Sequence, residues 1–148
     1  MIISVLCEVK EIFNKGKDYE WSRPETCPSC KASNVWGHGF VPAYFDGFSG
    51  SVYLRRWRCP SCGCVIRVRP CGYFRRFQAA IEEIRSRLSS RISGGPWLPG
   101  MSPTRQRHWF LALQRRVTAY LGNGWQDGLI RAFDHFISLD QIPVSRSL

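Results

Sequence analysis

The sequence contains the tetrapeptide CPSC twice, at residues 27–30 and 59–62. Each copy holds two cysteines three positions apart, so one tight turn brings both thiolates to the same side of the chain. Two such turns facing each other supply the tetrahedral set of four sulfurs that zinc prefers. We therefore predict one structural Zn²⁺ ion bound by Cys27, Cys30, Cys59 and Cys62. The 28 residues between the two copies exceed the usual spacing of about 15 to 20 residues, so more than one strand must connect them.

Two further residues near the CPSC turns are alternative ligands. Cys64 follows the second turn, but Cys-x-x-Cys spacing with Gly63 after it fits a metal-binding turn better. Cys64 is therefore expected on the inward face of the next strand. His38 is either a replacement ligand or a strand histidine that contacts phosphate or packs on Trp36. The remaining cysteines, Cys7 and Cys71, are interpreted as ordinary buried thiols.

The residues around the two turns have the pattern of short β-strands. Residues 35–41 are aromatic and β-branched with interleaved glycines, and DGFSG at 46–50 predicts a turn. Residues 51–58 alternate, with one face carrying Val52 and Leu54 and the other carrying Tyr53, Arg55 and Trp57. A third strand follows at 64–69, with Cys64, Ile66 and Val68 facing inward. Three short antiparallel strands attached to two metal-binding turns form a zinc ribbon, in which the metal compensates for a small core.

From Tyr73 the hydrophobic period changes from two to about 3.6, which predicts three helices. The first runs from 73 to 92, with an apolar face that includes Phe74 and Phe77 and a polar face that includes Arg87. The segment 93–102, SGGPWLPGMS, interrupts it. Ser102 and Pro103 are typical of an N-cap and a first helical position, and this second helix runs to about 121. The third is predicted at about 125–139.

The predicted fold class is α+β: a small antiparallel zinc ribbon followed by a three-helix, helix-turn-helix-like region. The predicted organisation is an N-terminal segment at 1–24, the zinc ribbon at 25–72 and the helical region at 73–148. Residues 1–24 contain a short apolar run that fits either a strand or one helical turn. Pro24 disfavours a helix continuing into the first CPSC turn.

The charge of the chain is strongly basic, with a formal net charge of +10 and a pI near 9.7. Fourteen arginines lie between residues 55 and 116, against only two acidic residues, Glu82 and Glu83. The planar guanidinium suits bidentate contact with phosphate and with guanine edges, so a polyanion such as nucleic acid is the expected partner. The alternative is a solvated basic surface without a partner. The predicted nucleic-acid contacts are Arg55, Arg56, Trp57, Arg58, Arg67, Arg69, Arg75, Arg76, Arg105, Arg107, Arg115 and Arg116.

Two of these expectations carry alternatives of their own. Trp57 either stacks on bases or packs its ring against the helices. The first turns of the second helix hold Thr104, Arg105, Arg107 and His108, the position from which a recognition helix reads the major groove. The connection before this helix has ten residues, however, which departs from the usual helix-turn-helix turn of about three or four.

The sequence shows no catalytic constellation. A closed four-cysteine site leaves no open position for a reactive water, and there is no Ser-His-Asp pattern or glycine-rich phosphate loop. Asp127, Asp134 and Asp140 are spaced along a surface helix and its end, unlike a pair of metal-binding carboxylates for strand cleavage. We therefore expect a protein that is not an enzyme.

The N-terminal sequence has no signal-peptide pattern, and no apolar run approaches the roughly 20 residues of a membrane-spanning helix. We therefore expect a cytoplasmic, nucleoid-associated protein without a membrane or small-molecule partner, in which paired cysteines bind metal and disulfides are rare.

The run CPSC, WGHGF, YLRRWRCPSCGCVIRVRP and then a basic helix resembles the N-terminal zinc ribbon of some bacterial insertion-sequence transposases, and similar stand-alone proteins carried beside mobile elements. The resemblance covers about residues 25–110, and its specific parts are the two CPSC turns and the RRWRC strand. It implies zinc at Cys27, Cys30, Cys59 and Cys62 and binding of double-stranded DNA at element ends or a promoter. The chain lacks the downstream catalytic domain of such transposases, so an accessory or regulatory role is expected.

Two rival functions remain. One is a protein-interaction adaptor that docks a larger partner such as a transposase through its aromatic helices. The other is RNA binding, because zinc ribbons also occur in transcription and translation machinery.

Overall fold

The computed structural model describes residues 1–147 and divides into two compact units, Met1–Ala79 and Ala80–Leu148. The first unit contains strands β1 (Ile2–Val5), β2 (Trp36–Ala43), β3 (Val52–Arg58) and β4 (Val65–Pro70), with helix α1 (Val9–Lys15) and a 3₁₀ turn, Gly16–Asp18. The second contains helices α2 (Ile81–Ile92), α3 (Pro103–Tyr120) and α4 (Gly128–Ser138). The predicted α+β class is confirmed.

The four strands form one sheet in the order β1-β4-β3-β2. The β2–β3 and β3–β4 pairs are antiparallel, as predicted, whereas β1 pairs with β4 in parallel, from Ile2 opposite Arg67 to Val5 opposite Pro70. The N-terminal ammonium group of Met1 donates a hydrogen bond of 2.8 Å to the Val65 carbonyl. The N-terminal segment is therefore part of the sheet unit, through a fourth strand, which is one of the two alternatives that its apolar run left open.

The core of the first unit forms around β3 and β4. Ile12 of α1, Val52 of β3 and Ile66 of β4 are all fully buried. The same cluster contains Cys27 and Cys59, the first cysteine of each CPSC turn. Both turns are thus anchored in the hydrophobic core at one cysteine, while their second cysteines, Cys30 and Cys62, are exposed.

Trp57 lies in this core and is only 7% exposed, although the strict alternation of β3 placed it on the face opposite the buried Val52 and Leu54. Its backbone pairs with Ile66 on one side and with Gly37 on the other. The register of β2 shifts between Gly37 and Phe40, opposite this part of β3. Such a bulge increases the local twist, and the buried side of β3 changes along its length. A strict period of two does not predict such a change.

Helix α2 begins eight residues later than predicted, at Ile81 instead of Tyr73. Residues 73–80 form turns, in which Phe74 is buried and its ring packs edge-on against that of Phe77, at 5.7 Å between centroids. Arg76 adopts a left-handed backbone with φ 67°, which interrupts any right-handed helix at this position. Two phenylalanines at helical spacing therefore belong to a turn.

Helix α3 begins where the sequence predicts it. The Ser102 hydroxyl accepts a hydrogen bond of 3.3 Å from the backbone N–H of Arg105, and Pro103 occupies the first helical position. Helix α4 lies within the predicted third helix. The helices of this unit pack around Ile84, Leu113 and Phe133, which are fully buried.

The connection between α2 and α3 is held by two buried polar side chains. Gln106 is 1% exposed; its amide donates to the carbonyls of Leu98 and Met101 and its oxygen accepts from the Leu98 N–H. Arg87, predicted on the polar face of its helix, is also buried and donates to the carbonyls of Leu98 and Pro99. The segment 93–102, which the sequence predicts to interrupt the helix, is thus a loop held in place by hydrogen bonds from these two side chains.

Candidate metal centre and arginine surface

The sulfurs of Cys27, Cys30, Cys59 and Cys62 all lie within 4.8 Å of one another. The Sγ atoms of Cys27 and Cys62 are 3.7 Å apart, and those of Cys30 and Cys59 are 3.5 Å apart. A disulfide needs about 2.05 Å, whereas the edge of a tetrahedron with metal–sulfur bonds of about 2.3 Å is about 3.8 Å. The predicted cysteines are therefore brought together, without a disulfide, in a set that fits a tetrahedral metal ion.

The two CPSC turns share one backbone design. In the first, the Lys31 N–H donates to the Cys27 carbonyl at 2.8 Å; in the second, the Gly63 N–H donates to the Cys59 carbonyl at 2.9 Å. Lys31 and Gly63 both have left-handed backbones, with φ of 65° and 72°. The duplicated sequence thus forms a duplicated turn.

Each turn also stabilises a thiolate at its first cysteine. The Cys62 N–H donates to the Cys59 sulfur and, with other hydrogen bonds, lowers the pKa of Cys59 to about 6. In the other turn, the backbone N–H of Cys30 lowers the pKa of Cys27 in the same way. Because a thiolate, not a thiol, ligates metal, both buried sulfurs are prepared for an ion.

The alternative ligands lie outside this set. Within residues 1–147, the four-cysteine group is the only cluster of histidine, cysteine and carboxylate ligands close enough to hold a metal. It excludes both Cys64 and His38. Cys71 is exposed and Cys7 is half-buried, so the interpretation of both as buried thiols is wrong for Cys71.

Two arginines of β3 lie beside aromatic residues of β2 and β3. The guanidinium of Arg55 lies 4.7 Å from the ring centroid of Phe40 and 5.1 Å from that of Trp57. It fills the space that a side chain at Gly37 would need. Arg58, which is exposed, stands directly opposite Trp36 in the β2–β3 ladder, and Trp36 is 56% exposed.

Trp36, and not Trp57, is therefore the tryptophan that this surface presents. The sequence offered no signal to separate the two, because both lie in aromatic strand segments. Their exposure depends on which side of each strand is covered.

Four other predicted arginines line one cleft in the sheet unit, namely Arg67, Arg69, Arg75 and Arg76. Arg67, Arg75 and Arg76 are exposed, and Arg69 is half-buried. Arg69 donates to the Phe77 carbonyl and lies over the ring of Phe45, 5.6 Å from its centroid. Burial lowers the pKa of its guanidinium.

The helical arginines divide into exposed and structural side chains. Arg107 and Arg115 are exposed, whereas Arg105 lies over the Trp109 ring at 5.1 Å. Arg116 is 8% exposed, donates to the Ser147 carbonyl and contacts the Tyr120 and Phe136 rings. Arg116, expected among the polar positions of its helix, is thus buried instead.

Among the carboxylates considered above, Asp134 is engaged in a bidentate ion pair with Arg85, with both N–O distances at 2.8 Å. None of the helices in the described part of the chain is both long and apolar enough to span a membrane. Comparison with family models, with curated proteins and with solved structures found no match to this chain.

Proposed function

We propose that this chain is a non-enzymatic zinc-ribbon protein that binds DNA through the arginines of its sheet unit. One observation carries the proposal: Arg56 of β3 stands directly opposite Arg67 of β4. Neither side chain has a carboxylate partner within residues 1–147. Like charges directly opposite each other destabilise a sheet. A sheet that keeps two like charges opposite each other gives up stability, and such exceptions are typical of functional sites. A bound polyanion would neutralise both charges.

The metal has a structural role in this proposal. Four cysteine ligands complete a tetrahedral zinc site, so no position is left for water or substrate. The second CPSC turn connects β3 and β4, the strands that carry these arginines. Cys59 follows Arg58 at the end of β3, and two residues separate Cys62 from β4. The ion would thus fix the spacing of the charges that bind DNA.

Two further features support contact with nucleic acid. The neighbouring pair of Trp36 and Arg58 combines an exposed aromatic face with a cation, which suits base stacking beside phosphate binding. In the helical unit, Thr104, Arg107 and His108 are exposed in the first turns of α3. This is the placement expected of a helix-turn-helix-like second contact.

The role that we propose for DNA binding is accessory or regulatory, in the service of a bacterial mobile element. The resemblance of the two CPSC turns and the RRWRC strand to insertion-sequence proteins supports this narrower assignment.

The test is the salt dependence of binding to a labelled duplex, measured by fluorescence anisotropy with the metal-loaded protein. For duplex DNA the slope of log K against log salt is about −0.9 for each phosphate neutralised. The double variant R56Q/R67Q should flatten this slope by about 1 to 2 units. The variant R131Q/R146Q removes two exposed charges outside the proposed surface and should leave the slope unchanged. Binding that does not respond to salt would refute the proposal.

Further binding experiments distinguish the proposed DNA binding from the two rival functions, RNA binding and a protein-interaction adaptor. RNA that displaces labelled duplex far better than unlabelled duplex does would favour the RNA-binding rival. An adaptor would retain its protein partner after replacement of Arg55, Arg56 and Arg58 by alanine, and would show no salt-dependent binding to DNA.

A further inference from the structure

The sheet of the first unit separates into two halves at one end. The β3–β4 ladder runs only from Arg58 opposite Val65 to Arg56 opposite Arg67. Beyond it, residues 52–55 pair with β2 and residues 68–70 pair with β1. The two halves diverge here, and a cleft of about 280 Å³ lies in this region.

The cleft has an apolar lining and a cationic rim. Its apolar surface comes from both halves of the sheet and consists of Ile2, Val41, Pro42, Ala43, Leu54 and Val68. Its charged lining residues are four arginines, Arg67, Arg69, Arg75 and Arg76, without a carboxylate. A site with this charge is complementary to an anion that also carries an apolar or planar part.

Arg69 differs from the other three arginines because its guanidinium is held in place. It donates to the Phe77 carbonyl and lies over the Phe45 ring. Arg69 therefore contributes a fixed positive charge to the wall of the cleft.

The dimensions limit the ligand to a small one. Ligand pockets generally measure about 300 to 1,000 Å³, so this cleft of about 280 Å³ lies just below that range and admits one nucleotide rather than a duplex. Arginine forks match the oxygens of phosphate bidentately, and an apolar floor suits a sugar or a base. We propose that the cleft binds a single phosphorylated nucleotide of a nucleic-acid strand, at a strand end or in a single-stranded segment. The choice of a nucleic-acid nucleotide rests on the proposed function.

The test measures binding of dAMP, a short oligothymidylate, deoxyadenosine and inorganic phosphate to the metal-loaded protein by calorimetry. The oligonucleotide and dAMP should compete for one site, the oligonucleotide should bind more tightly, and deoxyadenosine should not compete. The variant R67Q/R76Q should weaken dAMP at least about tenfold, because it removes two charge-assisted contacts. The matched control R131Q/R146Q should leave dAMP affinity unchanged.

A second variant distinguishes a shaped cleft from a merely charged surface. A43F adds bulk to the cleft without altering charge, and phenylalanine suits a strand. It should abolish dAMP binding while duplex binding through the remaining arginines persists. Metal content and thermal melting check that each variant folds.

The outcomes separate the two proposals. Duplex binding that depends on salt, without any dAMP binding, would overturn the cleft inference and leave the proposed function intact. Binding of dAMP that R67Q/R76Q and A43F do not weaken would also overturn the inference. If dAMP binds in the cleft while no nucleic acid binds, the proposed function fails and the site is one for free nucleotides.

Discussion

Lys31 and Gly63 occupy equivalent positions in the two CPSC turns, each directly after the second cysteine and each with a left-handed backbone. Glycine adopts this conformation without steric cost, whereas a residue with a Cβ atom is strained by about 1 to 2 kcal/mol. The chain therefore contains one relaxed and one strained version of the same turn.

Replacement of Lys31 by glycine should accordingly raise the free energy of unfolding by about 1 kcal/mol, after the entropic cost of glycine is subtracted. The reverse change, G63A, should lower it by about 1 to 2 kcal/mol. No heavy atom lies within 4 Å of a Cβ placed at Gly63, so the loss would report backbone strain alone. Denaturant titration of the metal-loaded protein measures both. A destabilised K31G variant would contradict the equivalence of the two turns.

The four-cysteine set predicts one metal ion for each chain. Replacement of Cys59 by serine should abolish stoichiometric zinc binding and unfold much of the sheet unit, because metal binding and folding are coupled in small zinc domains. C64S is the matched control, since Cys64 lies next to the set but outside it, and it should retain one ion. Elemental analysis after purification measures the content. Loss of metal from C64S together with retention by C59S would show that the proposed ligand set is wrong.

Gln106 should be a stability determinant of the helical unit although it is uncharged and lies on an apolar helix face. Its amide hydrogen bonds hold residues 98–101 against α3. Replacement by leucine would leave buried backbone groups without partners, at a cost of about 1 to 3 kcal/mol. The exposed Gln114 provides a control, and Q114L should change the free energy of unfolding by less than about 0.5 kcal/mol. Equal stability of the two variants would contradict the anchoring role.

The ion pair between Arg85 and Asp134 joins α2 to α4 and should make stability depend on pH. The hydrogen bond from Arg85 lowers the pKa of the Asp134 carboxyl below its usual value. A depressed folded-state pKa contributes stability above the unfolded pKa, near 3.9, and this contribution is lost as pH falls through the folded value. Both side chains are more than 40% exposed, so the effect at pH 7 should be only about 0.2 to 1 kcal/mol.

A double-mutant cycle of R85Q and D134N isolates this pair. The coupling free energy should be present at pH 7 and should approach zero at pH values below the folded pKa of Asp134. A coupling of the same size at both extremes would show that charge is not its source.

The sequence alone determined the features that depend on local spacing. The two CPSC copies form the same local turn because their cysteines have the same spacing and a left-handed residue follows each, so the four sulfurs were predictable. Helix α3 was equally predictable, because a serine N-cap and a proline at the first position are local signals. The alternation of Ile66 and Val68 with Arg67 likewise placed β4 correctly, since strand side chains alternate with a period of two.

Only the tertiary structure decided the features that depend on distant partners. Strand β1 exists because it pairs with β4, more than 60 residues away along the chain. Trp57 and Arg116 are buried because other residues cover them, although neighbouring aromatic and basic residues of the same types remain exposed. Arg67 and Arg69 of β4 and Arg75 and Arg76 of the following turns line one cleft, which only the fold brings together. Composition established that the chain is basic, but the positions of these four charges relative to one another depend on how β4 and the turns after it fold against the rest of the sheet unit.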